Sequence, residues 1–402
     1  MIYTITVNPT IDVTNRLTEG DRVEPKTHRP ATQQRHAGGK GIDVSRVIRN
    51  LGGRSVAMGF LGGFTGQLVE GLLLEEALEV DFVRIEQETR TNVIIVEIIP
   101  GRSTESKDYR FNSPGPGVQP YEARELYKKI EDLDKLTPER RPTYAAVCGS
   151  LCQGMSSTFY INIIRYLKSM NATVALDSSG AALKEALRYD PRPHLIKPNI
   201  EEFYELMSAD RIPRSGARAC ECGIARESKS LSASAFWRDL LKKVGEFRTK
   251  YEDVDALLTL GEAGMLLLHG NTLLHACLPK SNLPKVVNTV GAGDASLGGL
   301  LFELESGNDW ECGLRTAIAA GSAAVELSGT QAPTREHVEK FLVDIDVHQH
   351  GMIALGEQTD PLLDLCHMAK PAPQARAGRR KPQRRTANNR RAPKRKGKKT
   401  KR

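Results

Sequence analysis

The chain opens Met1-Ile-Tyr-Thr-Ile-Thr-Val7, turns at Asn8-Pro9 and, after a polar stretch, resumes as Ala37-Gly-Gly-Lys-Gly-Ile42. The first seven residues alternate as a strand does, and the Asn-Pro turn presents Asp12 just beyond it. Gly38 to Gly41 precede Ile42, Val44, Val47, Ile48 and Leu51, which recur at helical spacing until Gly52-Gly53 ends them. This strand, loop and helix are followed by short apolar runs at 56–61, 93–99, 144–148, 173–176, 194–196, 256–260 and 264–268, between helical stretches. Such alternation predicts an α/β fold: a mostly parallel sheet flanked by helices, with sites at the carboxyl ends of its strands.

Two features interrupt that rhythm. Residues 11–36 and 89–112 read as extended polar–apolar pairs, expected to form a small β lid over the cleft. Residues 208–234 are rich in Arg, Ser, Ala and Gly and carry Cys220-Glu-Cys222. With no second ligand pair for a metal, they read as a surface insertion.

Of the 57 Lys and Arg, 16 fall in residues 370–402, which hold no Asp or Glu; the other 41 face 49 acidic residues, so residues 1–369 carry a net −8. Apart from Pro, the tail has no apolar side chain larger than Ala after Lys370 and is expected to be disordered. It reads either as a polyanion (RNA or DNA) contact without base stacking or as a solvated tail. The expected division is a domain over 1–345, a linker over 346–369 and this tail. Seven cysteines at irregular spacing argue against a disulfide framework and suit a cytoplasmic protein. No run reaches the roughly 18 apolar residues of a membrane span, so no membrane partner is expected.

The segment richest in chemistry is Asn288-Thr-Val-Gly-Ala-Gly-Asp294, which leads into an apolar stretch. The amides of Gly291, Ala292 and Gly293, with a helix dipole behind them, suit an anion, and Asp294 at the rim can accept a proton. That pairing fits phosphoryl transfer to a hydroxyl, although Gly-x-Gly-Asp is also an ordinary capped turn. Gly38, Gly39 and Lys40 form a diglycine loop with a cation, suited to an anionic or polyhydroxylated ligand or simply a tight turn. Asp12 can accept from sugar hydroxyls, and Arg90 and Arg110 can grip a phosphate if they are not merely solvated. In Lys197-Pro-Asn-Ile-Glu-Glu202, Asn199 and Glu202 fall together at a helix start, either as oxygen ligands for Mg²⁺ or as a cap. No Gly-x-x-x-x-Gly-Lys-Ser/Thr segment occurs, which excludes a Walker-type ATPase.

In order, Thr6-Val-Asn-Pro-Thr-Ile-Asp12, Ala37-Gly-Gly-Lys-Gly-Ile42, Thr89-Arg-Thr-Asn-Val93, Cys148-Gly-Ser-Leu151, Leu176-Asp-Ser-Ser-Gly180, Lys197-Pro-Asn199, Thr259-Leu-Gly261, Val290-Gly-Ala-Gly-Asp294 and Ala320-Gly-Ser-Ala323 resemble the ribokinase-like (PfkB) family of carbohydrate kinases. The resemblance spans about residues 1–345 and is nearest the branch that phosphorylates hexose phosphates. It implies a ribokinase-like fold, with Asp294 as general base and Gly291, Ala292 and Gly293 at the transferring phosphoryl group. Asp12, Gly38, Gly39, Lys40, Asp43, Arg90, Arg110 and Ser150 are then expected at the sugar phosphate. Lys197, Asn199, Thr259, Gly261 and Gly264 are expected at ATP, and Glu202 with Asn199 at Mg²⁺. A homodimer through the lid is also implied.

Three positions depart from the branch pattern. Asp43 replaces the usual Asn, placing an expected negative charge beside an anionic substrate. Cys152-Gln153 replaces Pro-Pro, and Asn288 stands where an acidic residue or Ser is usual. The resemblance implies conversion of fructose 1-phosphate to fructose 1,6-bisphosphate, with tagatose 6-phosphate or fructose 6-phosphate as alternative acceptors. A non-catalytic sugar-phosphate sensor or nucleic-acid-associated protein is the competing class.

Overall fold

A computed structural model describes residues 1–99, 106–207, 233–329 and 331–351. The chain divides into Met1–Gln358 and Thr359–Arg402, and the described residues belong to the first unit. The tail over 370–402, most of the linker and nearly all of the 208–234 insertion lie outside them.

Strand β1 (Ile2–Thr6) is buried at every position because it runs in parallel between β4 (Ser55–Gly62) and β8 (Tyr144–Cys148). Covered on both faces, the strand supplies Ile2, Tyr3 and Ile5 to the core, while the equally buried Thr4 hydroxyl pairs with Ser45 Oγ at 2.8 Å. The sheet continues through β5 (Glu79–Ile85) on one side. On the other side lie β9 (Thr173–Asp177), β10 (Leu195–Ile196) and β11 (Asp255–Thr259), all parallel. Three antiparallel strands complete it: β12 (Met265–His269), β13 (Thr272–Cys277) and β14 (Asp346–Gly351). The domain end expected at 345 is thus exceeded, since Asp346–Gly351 pairs with β13.

Ten helices occur among the described residues. Helix α1 (Lys40–Asn50) buries Ile42, Val44, Val47 and Ile48. It is followed by α2 (Gly63–Glu75), α3 (Pro120–Asp132), α4 (Phe159–Ser169), α5 (Gly180–Arg188), α6 (Ile200–Met207) and α7 (Ala233–Lys250). Helix α8 (Ala292–Glu305) is packed between α1 and α9 (Trp310–Val325). That closeness needs small residues: a Cβ on Gly298 would lie 2.8 Å from Val47 Cβ, and one on Gly299 2.7 Å from the Thr316 carbonyl. Helix α10 (Arg335–Leu342) precedes β14. Among the described residues, no helix is long and apolar enough to cross a membrane.

The two extended segments form one four-stranded sheet, ordered β3 (Thr32–Gly38), β2 (Thr10–Arg16), β6 (Arg90–Ile98) and β7 (Ser106–Phe111). The 93–99 run belongs here and not to the large sheet. Register sets Asp12 beside Asn92 and Thr10 beside both Gly38 and Arg90. The small sheet leaves the large one directly after β1, at the carboxyl edge where β1 separates β4 from β8. Crevices form where strand order diverges in this way.

Candidate active site

Asp294 sits in the first turn of α8, behind Gly291, whose φ of 80° is the left-handed conformation that glycine adopts without strain. The turn is tied by the Ala295 N–H donating to the Gly291 carbonyl at 2.8 Å. Amides at such a helix start lack intrahelical acceptors and present positive charge to an anion. Asp294 is only 8% exposed. Burial, then the negative charges of Asp177 and Asp43, push its carboxyl well above the ordinary range, against the pull of Lys40 and Lys197.

Between those lysines lies Asp177, at the carboxyl end of β9 and fully buried. Lys40 Nζ donates to its Oδ1 at 2.9 Å, and Lys197 Nζ lies 3.0 Å from Oδ2. Burial alone would raise this carboxyl; Lys197 and Lys40 instead hold it at about 2. Burial opposes the charge of Lys40 as well, but Asp177 and Asp294 outweigh it and keep the ammonium protonated. Lys197 Nζ stands 2.8 Å from the point a Cβ on Gly293 would occupy. A lysine–carboxylate–lysine chain therefore joins the diglycine loop to the glycine turn before α8.

A cleft of about 280 Å³ opens beside this chain, lined among others by Asn8, Lys40, Arg90, Ser150, Ser178 and Glu202. Gly39 lines it too, while Gly38 packs beneath, against Asp12. Arg90 donates to the Asn8 and Ser113 carbonyls at 3.1 and 3.3 Å, and its Nε is buried with no hydrogen-bond partner. Asn8 donates to Ser150 Oγ at 3.3 Å. Asp12 accepts from Asn92 Nδ2 at 2.9 Å, and burial raises its carboxyl despite that bond.

Asp43 does not stand as the bare negative charge its position suggests. Arg46 Nη1 donates to its Oδ1 at 2.7 Å, while the other guanidinium nitrogens grip Glu76 at 2.6 and 2.9 Å. Burial pushes Asp43 up to about 7, with Arg46 opposing and Asp12 assisting. The expected repulsion is thus offset by a buried cation one helical turn away.

On the opposite side, Asn199 and Glu202 cap α6 reciprocally: the Asn199 N–H donates to Glu202 Oε2 at 2.9 Å, and the Glu202 N–H to Asn199 Oδ1 at 2.8 Å. Glu202 still lines the cleft. A carboxylate there suits a hard cation held mainly by water and ligand phosphates, a mode that needs no cage of three protein ligands. No such cage occurs among the described residues. Thr259 bridges to Asn199, and Gly261 and Gly264 shape the next turn; none of the three lines the cleft.

Arg110, expected at the sugar phosphate, bonds Asp108 and Asn288 instead and lies outside the cleft lining. The reason is strand alternation together with register: opposite Ile94, its side chain reaches toward the segment before Gly291. Conversely, Asp177, Asn8 and Ser178 belong to the site without having been assigned roles from sequence. For Asp177 the available signal was an acidic residue directly ending a buried parallel strand.

Residues 3–337 match the family described as pfkB family carbohydrate kinase. The 1-phosphofructokinase of Borreliella burgdorferi is 30% identical over 86% of this chain and 98% of its own length. A tagatose-6-phosphate kinase of Staphylococcus epidermidis is 29% identical over 75% of this chain and 84% of its own. The crystal structure of phosphofructokinase-2 from Escherichia coli in complex with potassium superposes with a TM-score of 0.69 at 25% identity, covering 85% and 98% of the two chains. With this fold and this site, the chain belongs to the pfkB family of carbohydrate kinases, phosphotransferases with an alcohol group as acceptor.

Proposed function

We propose that this protein transfers the γ-phosphoryl group of ATP to a hydroxyl of a hexose phosphate, giving a hexose bisphosphate, with fructose 1-phosphate as the favoured acceptor. The observation that carries the reading is the buried Asp294 carboxyl at the glycine turn, flanked by the Lys40–Asp177–Lys197 chain. Relatives named 1-phosphofructokinase and tagatose-6-phosphate kinase support a phosphorylated acceptor. So does the cationic lining by Lys40 and Arg90, which an uncharged sugar would not require.

In this reading Asp294, as carboxylate, takes the proton of the acceptor hydroxyl. The acceptor oxygen forms a bond to the γ-phosphorus, the bond from that phosphorus to the β,γ-bridging oxygen breaks, and ADP leaves with those electrons. The amides of Gly291, Ala292 and Gly293, with Lys197 above them, face the charge on the equatorial oxygens. Asp177 keeps Lys40 charged and holds both lysines in place. Asp12, Gly38, Gly39, Asp43 and Ser150 shape the sugar end, and Arg90 takes its phosphate. Asn199, Thr259, Gly261 and Gly264 shape the nucleotide side. Glu202 and Asn199 would hold Mg²⁺ through water, and the ion would neutralise nucleotide phosphate charge.

The outer face of the small sheet carries Val13, Val93, Ile95, Tyr109 and Phe111, with Phe111 57% exposed. That apolar face supports a homodimer formed through the lid. The activity is tested by incubating the protein with ATP, Mg²⁺ and a panel of fructose 1-phosphate, fructose 6-phosphate, tagatose 6-phosphate and fructose, following ADP. Fructose 1-phosphate is expected to give the highest kcat/KM, and free fructose at least about 100-fold less. No ADP with any sugar phosphate would remove the reading, and a higher kcat/KM with another member would reassign the acceptor.

A further inference from the structure

Arg110 extends from β7 to the segment that leads into the Gly291 turn. It shares a face of the small sheet with Thr14, Arg16, Ile94 and Val96, and this face closes a space of about 50 Å³ against Asn288 and Gly329. Its Nη2 donates to Asn288 Oδ1 at 2.9 Å, steadied by Asp108 Oδ2 at 3.3 Å. The same Asn288 oxygen accepts the Val290 N–H at 3.1 Å, and its Nδ2 donates to the Gly329 carbonyl at 2.5 Å. The Asn288 backbone N–H donates to the Val325 carbonyl at the end of α9 at 3.2 Å.

Asn288 thus joins three parts: the small sheet, the end of α9 and the approach to the glycine turn. Only a side chain with both an acceptor and a donor does this. Asp would set a carboxylate oxygen against the Gly329 carbonyl, and Ser is too short to span both. The bond from Arg110 is charge-assisted, hence stronger and more directional than a neutral one. Asp12, Asn92 and Arg90 belong to the same small sheet as Arg110. The placement of acceptor-side groups relative to the Gly291–Gly293 amides therefore passes through the Arg110–Asn288 contact.

We propose that Arg110 is a positioning residue for phosphoryl transfer, acting through Asn288 to lock the small sheet to the glycine turn. The proposal rests on the kinase reading above. It assigns Arg110 to turnover and not to sugar-phosphate affinity, because misplacement of reacting groups by a fraction of an ångström lowers rate before it lowers binding.

A double-mutant cycle of Arg110→Ala and Asn288→Ala tests this, with kcat and both KM values measured alongside hydrogen exchange of amides 288–294 in the unliganded protein. Each single change should lower kcat about tenfold and shift the sugar-phosphate KM less than about threefold. The double variant should be no worse than the worse single one, and Arg110→Ala should speed exchange across the segment. A tenfold rise in KM with kcat preserved would make Arg110 a phosphate ligand; additive effects, or unchanged exchange, would likewise overturn the proposal. Arg110→Gln, which keeps a donor, serves if the Ala variant fails to fold. The exchange measurement needs no turnover, so failure of the kinase reading and failure of this contact are distinguishable.

Discussion

The Lys197 ammonium lies over Gly293, 2.8 Å from where a Cβ on that glycine would stand, while remaining 3.0 Å from Asp177 Oδ2. A methyl group at 293 therefore displaces the cation and leaves the backbone unstrained. Gly293→Ala is expected to fold with stability unchanged or modestly lowered, since the helix preference of Ala, up to about 1 kcal/mol, is opposed by disturbing the buried Lys197–Asp177 pair. Turnover should fall at least about tenfold, as a preorganised cation leaves the transferring group. A melting curve and kcat measured together check this.

Arg46 serves two carboxylates, Asp43 and Glu76. Arg46→Met removes their shared counter-ion and should cost about 2–3 kcal/mol, below the full value for a buried pair because the Glu76 side chain is 31% exposed. Urea denaturation at pH 7 reads the loss.

Asp43 also predicts a pH dependence of stability. Its folded value of about 7 stands above the ordinary 3.8 of a free aspartate, so its contribution is complete below pH 3.8 and is lost as pH rises through about 7. Asp43→Asn leaves Arg46 and Glu76 as a one-to-one pair. The variant should lose less stability than the parent between pH 4 and 8, with a gap of about 1–3 kcal/mol at the alkaline end. Parallel slopes for the two proteins would contradict this.

Residues 370–402 carry 16 Lys and Arg and no acid. Their removal is expected to leave kinase activity unchanged and to abolish binding to RNA or DNA that weakens with salt. Filter binding at two salt concentrations, with an ADP assay on the same samples, measures both. Lost catalysis would show that the tail belongs to the kinase.

Much of this architecture is legible in the chain because local pattern and tertiary role coincide. Strand β1 alternates apolar residues with threonines in a recognisable strand pattern, and the turn at Gly291 needs glycine wherever it is placed. What is not legible depends on register and distant partners. Arg110 faces Asn288 because it lies opposite Ile94, and sliding the strand by one residue would turn it to the other face. Asp43 reads as a bare charge until Glu76, far along the chain, fixes the guanidinium of Arg46 beside it. Asp177 lies within a recognisable motif, yet its role emerges only when two lysines, one opening α1 and one directly after β10, converge on it. Strand β14 lacks the apolar run of a core strand, being the edge strand of the large sheet.

The central claim is that Asp294 accepts the acceptor proton, and Asp294→Asn tests it most directly. Its carboxyl titrates well above the ordinary range and only the ionised form accepts, so turnover of the parent should climb as pH rises. The near-isosteric variant should retain its melting temperature and ATP affinity, lose about 10²–10⁴-fold in kcat, and lose that acid limb. A kcat within about threefold of the parent, with the limb intact, would contradict the account.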